Sequence, residues 1–394
     1  MSFHFDETAC LERLFGTDDF LERYWPGHHL VAHGPLERLG PLGRLPEFSQ
    51  LDLLLASYPD KVRVALPDKR DEHSSLQVPA EEAAALHAEG MALIFNAVER
   101  FLPPVQFWLE ALRIELGLPL KCEPRSIIYV SPAGSGNSPH FDANANFVVQ
   151  ICGTKRWQIA PNTDVIHPTD RWAMNQEDLP EELEGYVHSP LPTQMPADAQ
   201  TFELVAGSVL FVPRGYWHQT QTDEETLALN FTFGQPSWAD LMLSALRARL
   251  LKDPAWRELA NGLRAPQPLR AEACKVQLAK MLAQLQHEVA ALEPAEVADA
   301  FDAQTAWLLV PRAFLRLDEN SVVASLGAGE FTIEADESLH PVLEWIGRQR
   351  TPFSLEQLAM HFPALTPGLP ALLQTLKVNR LLGKHHCRPS PDRD

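Results

Sequence analysis

Between residues 125 and 235 the chain is cut into short strand-like pieces: Ser126 to Val130, Phe147 to Ile151, Arg156 to Ile159, Thr201 to Val205, Ser208 to Val212 and Leu227 to Phe233. Gly, Pro and Asn turns separate them, and many short strands of this kind predict a closed or sandwiched antiparallel barrel. The two-residue period of a strand then orders the polar residues. His140 and Asp142 flank Phe141, and in an extended segment residues i and i+2 point to the same side. An imidazole and a carboxylate can therefore aim at one point while Phe141 points away.

Taken alone, H-x-D is a weak signal, because most such triplets are solvated loops. A third ligand is supplied downstream by the run Gly207 to His218, GSVLFVPRGYWH: a strand, a Pro/Gly turn, and a histidine opening the next strand. It follows at the distance a barrel needs to return to its starting strand. Two histidines and one carboxylate on one face of a metal, with the opposite positions open, is the ligand set of non-haem Fe(II) oxygenases. His140, Asp142 and His218 are thus the candidate metal ligands and catalytic centre. His167 and His188 lack ligand-like spacing. His28, His29 and His33 have no carboxylate nearby and read as surface or packing residues.

The pattern H-x-D, then Gly153-Thr154-Lys155-Arg156-Trp157, then Gly207 to His218 resembles the JmjC-type 2-oxoglutarate oxygenases, and within them the cupin-like ribosomal oxygenases. Phe20 to Trp25 (FLERYW) resembles that branch's N-terminal entry helix, and the C-terminal third resembles its helical and winged-helix modules. The likeness runs over nearly the whole chain, tightly in 125–235. It implies a mainly β catalytic core, a double-stranded β-helix of the cupin and JmjC kind, with helical additions and a winged-helix-like end. It implies Fe(II) and 2-oxoglutarate as cofactors, hydroxylation of a protein side chain, and a ribosomal protein as the substrate partner. The alternative is a metal-binding cupin scaffold without oxygenase activity.

A cosubstrate carboxylate buried in a barrel needs a basic partner, because an unpaired buried charge is costly. Lys155, at the start of the strand after H-x-D, is that partner by resemblance. The bacterial arginine-hydroxylating relatives carry arginine there, so lysine departs from that subgroup. Its neighbour Arg156 alternates to the outer face. Tyr129, Asn146 and Asn230 are the remaining candidate cosubstrate contacts. Asn146 matches the H-x-D-x-x-x-N spacing of the asparaginyl hydroxylase of hypoxia signalling. Trp157, Tyr216 and Trp217 read as barrel packing.

At 394 residues the chain exceeds one ordinary core. The expected division is 1–236, catalytic domain with a helical entry; 237–300, a helical dimerisation region; and 301–394, the winged-helix-like domain. In the first part a short helix is expected from Asp18 or Asp19 to Tyr24, then helices over Ala80 to Phe101 and Val105 to Leu116. Residues 161–198, rich in Pro, Asp and Glu, form a long connection of the kind that serves as a lid or binding surface. Leu278, Met281, Leu282, Leu285 and Val289 make one apolar helix face, which by resemblance belongs to a homodimer. Near the end, Ser354 and Gln357 have the spacing of a capping box. His385-His386-Cys387 reads as an unstructured tail.

No apolar run is long enough to span a membrane, and the N-terminus lacks the basic region of a signal peptide. The five cysteines are dispersed without metal or redox spacing, as in a reduced, cytoplasmic protein. A formal charge of −19 argues against non-specific nucleic-acid binding. It keeps a protein soluble and favours encounter with basic partners.

Overall fold

A computed structural model of the chain describes residues 10–66, 74–118, 122, 124–176, 178–261, 267–301, 306–309, 313–318, 321–326, 329–333, 337–349, 353–378 and 381–385. Two compact units emerge. The larger takes in Met1–Leu118, Glu123–Gly234 and Thr305–Asp394; the smaller takes in Pro119–Cys122 and Gln235–Gln304.

The barrel of the larger unit is built on thirteen strands. In chain order they are β1 (Leu30–Ala32), β2 (Val62–Ala65), β3 (Ser75–Val78), β4 (Ala92–Asn96), β5 (Arg125–Ser131), β6 (Gly136–Phe141) and β7 (Asn144–Cys152). Then come β8 (Lys155–Ala160), β9 (Trp172–Ala173), β10 (Gln200–Leu204), β11 (Val209–Val212), β12 (Trp217–Gln221) and β13 (Thr226–Gly234). They form an eight-stranded sheet in the order β1-β11-β7-β13-β5-β4-β2-β3 and a five-stranded sheet in the order β10-β8-β12-β6-β9. Neighbours such as β7 with β13 and β8 with β12 are antiparallel. This is the antiparallel barrel that the segment pattern predicted and the mainly β, double-stranded β-helix core that the resemblance implied. Between the sheets pack Val148, Leu210, Val212 and Ala228 from one and Trp157, Ile159 and Leu204 from the other.

Helices α1 (Cys10–Phe15) and α2 (Phe20–Arg23) precede the barrel. The entry motif is a packing device: Phe20 is buried, stacks on Phe15 at 4.6 Å, and meets Phe211 edge-on at 5.2 Å. Helices α3 (Leu51–Ser57), α4 (Ala80–Ala88) and α5 (Pro103–Glu115) intervene among the strands. Helix α5 begins on Pro103 and Pro104 and buries Trp108, Leu109 and Leu112, as its periodicity predicts. The helix expected over Ala80 to Phe101 instead stops at Ala88. Gly90 adopts φ +93, a left-handed turn that ends helices. Beyond it Ala92–Asn96 alternates between half-buried and buried as strand β4, paired with β2 and β5.

The 161–198 connection is a packed layer. It contains β9 and the short helix α6 (Glu181–Glu184). Its Val165, Trp172 and Leu183 form a core with Phe141, Ala160 and Trp217 of the barrel.

In the smaller unit, α7 (Trp238–Leu250), α8 (Pro268–Ala290) and α9 (Pro294–Phe301) follow one another. Helix α8 has no buried residue, and Leu278, Leu282 and Val289 are exposed. The last segment of the larger unit holds β14 (Ala306–Leu309) and β18 (Leu382–His385) as one pair, and β15 (Ala313–Asp318), β16 (Ser321–Leu326) and β17 (Gly329–Ile333) as a three-stranded sheet. Its helices α10 (His340–Arg348), α11 (Leu355–His361) and α12 (Leu369–Val378) share a core of Val342, Leu343, Ile346, Leu358, Leu369 and Leu376. Helix α11 opens with the Ser354/Gln357 capping box. His386 and Cys387 of the tail motif lie outside the described residues.

Candidate metal centre

Strands β6 and β12 are neighbours, and His140 and His218 face each other directly in their register. Directly opposed residues of an antiparallel pair project from the same face a few ångströms apart. Two histidines remote in sequence are thereby brought together, with ring centroids 4.1 Å apart. Asp142 lies just past the end of β6 and continues its alternation. Ligand atoms of His140, Asp142 and His218 all fall within 4.8 Å of one another, and this is the only such His/Cys/Asp/Glu group among the described residues. His167 and His188 stand outside it.

Each histidine is fixed from behind. The Nδ1–H of His140 donates to the Ser138 carbonyl at 2.7 Å, and that of His218 donates to the Tyr216 carbonyl at 2.9 Å. This leaves Nε2 of both rings as the lone-pair nitrogen, the tautomer a metal requires. Trp157 stacks on His218 at 5.9 Å. Burial, and next the neighbouring His218, hold the His140 pKa well below the usual imidazole value, so the ring is neutral at physiological pH.

The carboxylate of Asp142 is held from several directions. Asn146 Nδ2 donates to its Oδ2 at 3.0 Å, and His218 Nε2 lies 3.6 Å from the same oxygen. Arg171 Nε sits 3.1 Å from Oδ1. Burial alone would raise its pKa, but His140, His218, Arg171 and the Asn146 hydrogen bond together bring it below the usual carboxylate value. Asn146 is itself braced by β13: its Oδ1 accepts from Thr232 Oγ1 at 2.8 Å and from Asn230 Nδ2 at 3.2 Å.

Arg171 and Thr232 were not among the sequence candidates. Arg171 immediately precedes β9, whose Trp172 and Ala173 pair with Phe141 and His140. That strand therefore places a guanidinium beside the metal-facing acid. The layer it belongs to is pinned by Arg214, which donates from Nε and Nη2 to the Pro168 carbonyl at 2.9 and 2.7 Å.

Lys155 opens β8 and points between the sheets. It is buried, and its Nζ donates to Ser131 Oγ at 2.9 Å. Burial brings its pKa down to about 8. No carboxylate pairs with it among the described residues. Arg156 turns outward, as alternation requires, towards Glu203 at 3.7 Å and Asp223 at 4.0 Å. Tyr129 also lines the interior; burial, and then the charge of Asp142, push its phenol pKa up to about 12.

A cavity of about 280 Å³ joins these groups, with Tyr129, Asn146 and Asn230 on its large-sheet wall and Lys155, His140 and His218 on its small-sheet wall. The donor set fits Fe(II): two imidazole nitrogens and one carboxylate oxygen, each with a hydrogen-bonded support. The buried, carboxylate-free lysine fits the distal carboxylate of 2-oxoglutarate. An antiparallel two-sheet barrel with such a centre defines a cupin-type metal-site protein.

Residues 101–241 match the family model of the JmjC domain. The Bacillus subtilis (strain 168) protein YxbC, itself uncharacterized, is 38% identical over 247 residues, covering 61% of this chain and 75% of that protein. A Caenorhabditis briggsae bifunctional lysine-specific demethylase and histidyl-hydroxylase, NO66, is 26% identical over 263 residues, 60% of this chain and 31% of that protein. Ribosomal oxygenase 1 of Danio rerio is 32% identical over 129 residues, 31% of this chain and 21% of that protein. The chain thus spans three-quarters of the Bacillus relative and a third or less of the two animal proteins. The chain thus carries a JmjC domain over residues 101–241.

Proposed function

We propose that the protein is an Fe(II)- and 2-oxoglutarate-dependent oxygenase that hydroxylates a side chain of another protein, with a ribosomal protein as the substrate. One observation carries the reading: a single interior cavity holds both the His140/Asp142/His218 cluster and a buried lysine that no carboxylate among the described residues pairs with. His140, Asp142 and His218 would hold the metal, the histidines through Nε2. The bound metal and 2-oxoglutarate supply the oxidation of an unactivated C–H bond, coupled to decarboxylation of the cosubstrate to succinate.

The chain's own residues bind, orient and shield. Lys155, Ser131 and Tyr129 take the distal carboxylate of 2-oxoglutarate. Asn146 and Arg171 fix the rotation of the Asp142 carboxylate, and Asn230 and Thr232 brace Asn146. Neutral His140 keeps its nitrogen available without losing a proton first. The ribosomal substrate is supported by the resemblance to the ribosomal oxygenases and by the name of the zebrafish relative.

The protein acts as a homodimer in the cytoplasm. The exposed Leu278, Leu282 and Val289 stripe of α8 supports the dimer. Among the described residues no helix is long and apolar enough to cross a membrane. Net charge of −19 disfavours nucleic acid as a ligand of the winged-helix-like end.

Calorimetric titration of 2-oxoglutarate into the metal-loaded protein tests the reading. Wild type binds, and Lys155→Ala loses binding while still retaining the metal. A metal-loaded wild type that gives no heat with 2-oxoglutarate indicates a cupin scaffold without oxygenase activity.

A further inference from the structure

Two of the residues that take the distal carboxylate stand at the very ends of their strands. Ser131 is the last residue of β5 and lies opposite Thr226, the first residue of β13. Lys155 is the first residue of β8. On one side it pairs with Leu204 of β10. On the other, the β12–β8 ladder stops one residue short of it, at Gln221 opposite Arg156. The Lys155–Ser131 pair, 2.9 Å apart, is therefore only as well placed as the turns that lead into it.

Those turns meet at Thr222, a buried residue that directly follows Gln221. Its amide donates to the Ser135 carbonyl and its carbonyl accepts from the Gly134 amide, both at 2.9 Å, which holds the turn after Ser131. Its hydroxyl lies 2.8 Å from the Thr154 carbonyl and 2.7 Å from the Glu224 carbonyl. A hydroxyl has one proton, so the two carbonyls share it. Thr154, the residue before Lys155, is tied a second time, because its amide donates to Glu224 Oε1 at 2.7 Å. Gly153 permits the close approach: its φ is +69, and a Cβ there would stand 2.3 Å from the Glu225 carbonyl oxygen. Three turns from separate parts of the chain thus converge on Thr222, and two of them carry the clamp.

A ligand held at both ends is selected by its length, and a small displacement of either end spoils the fit. Resting on the oxygenase reading, we propose that Thr222 is a positioning residue. By fixing the turns at 134–135 and at 154, it sets where Lys155 and Ser131 stand relative to the metal cluster. It thereby sets the length of 2-oxo diacid that the cavity accepts.

Calorimetry under nitrogen on the full-length, Fe(II)-loaded protein compares 2-oxoglutarate with oxaloacetate, one methylene shorter, and 2-oxoadipate, one methylene longer. Thr222→Val keeps the shape of the side chain but not its hydroxyl. It is expected to bind 2-oxoglutarate about tenfold more weakly and to narrow the preference over the other two diacids, with metal retention unchanged. Thr222→Ser restores both. Unchanged binding in Thr222→Val, an equal loss for all three diacids, or a serine variant as impaired as the valine one overturns the proposal and leaves the oxygenase reading standing. If Thr222→Val does not fold, the exposed Glu224 decides. Glu224→Ala and Glu224→Gln lose the same charge, but glutamine can still accept from the Thr154 amide. The alanine variant is expected to bind 2-oxoglutarate about threefold more weakly than the glutamine variant, and equal binding overturns the proposal. A wild type that binds none of the three diacids overturns the proposal and the oxygenase reading together.

Discussion

Asp142 shows how much of this site depends on single residues. It brings the only negative charge to the proposed metal, and its two oxygens are separated by Asn146 and Arg171 into different tasks. Asp142→Ala and His218→Ala are expected to lose iron on dialysis, while His167→Ala, which lies outside the cluster, keeps it. Asn146→Ala leaves all three ligands in place but frees the carboxylate to rotate, so metal affinity should fall by about 10- to 100-fold, the usual effect of removing a ligand's support. Chelator competition measures all four. Lys155 brings a pH dependence. Its pKa of about 8 in the free protein means that the charged form needed for a carboxylate dominates below that value. As pH rises past about 8, binding must first take up a proton, and 2-oxoglutarate affinity should fall about tenfold per pH unit. Calorimetry from neutral to alkaline pH reads this, and a flat profile would remove Lys155 from the clamp. The H-x-D alternation was legible from local strand periodicity, the returning histidine from the strand and Pro/Gly turn that precede it, and the inward lysine from the family resemblance of its run. Arg171, Ser131 and Thr232 were not, because strand register brings them in from distant parts of the chain.

Among the elements, the 161–198 layer departs furthest from its sequence reading. Its Pro- and acid-rich composition suggests a lid, yet a two-residue strand, the Val165, Trp172 and Leu183 core and the Arg214 clamp make it part of the barrel wall. No periodicity announces a two-residue strand, and scattered apolar residues in such a stretch reveal a core only once the barrel face opposite them is known. Gly215 lies against the layer: φ is +85, and a Cβ would stand 2.8 Å from Pro168 Cδ. Gly215→Ala should therefore destabilise the protein by about 1–3 kcal/mol, read from urea unfolding. Arg214→Ala should leave global stability nearly intact but speed amide exchange in 161–198. Equal exchange in both proteins would show that Arg214 does not hold the layer. The Ala80 to Phe101 misreading has a related cause. Ala- and Glu-rich residues set the helical pattern, and only Gly90 with the following ALIFN marks the switch to a strand.

For the whole molecule, contacts group Thr305–Asp394 with the barrel and Gln235–Gln304 separately. The α8 stripe was legible as amphipathic, and in one chain it has no cover. Leu278→Glu together with Leu282→Glu should convert a dimer to a monomer in light scattering, while a wild type already monomeric would remove the dimer proposal. The net charge of −19 suits a basic protein substrate, whose approach should slow as salt rises. The oxygenase reading depends on the cavity turning over its cosubstrate. The most direct test is the conversion of 2-oxoglutarate to succinate by purified protein with Fe(II) under air, with Asp142→Ala as the blank. Succinate formed by wild type and absent from the variant is the predicted result. Folded, iron-loaded wild type that leaves 2-oxoglutarate unchanged, even with the ribosomal proteins added, would contradict it.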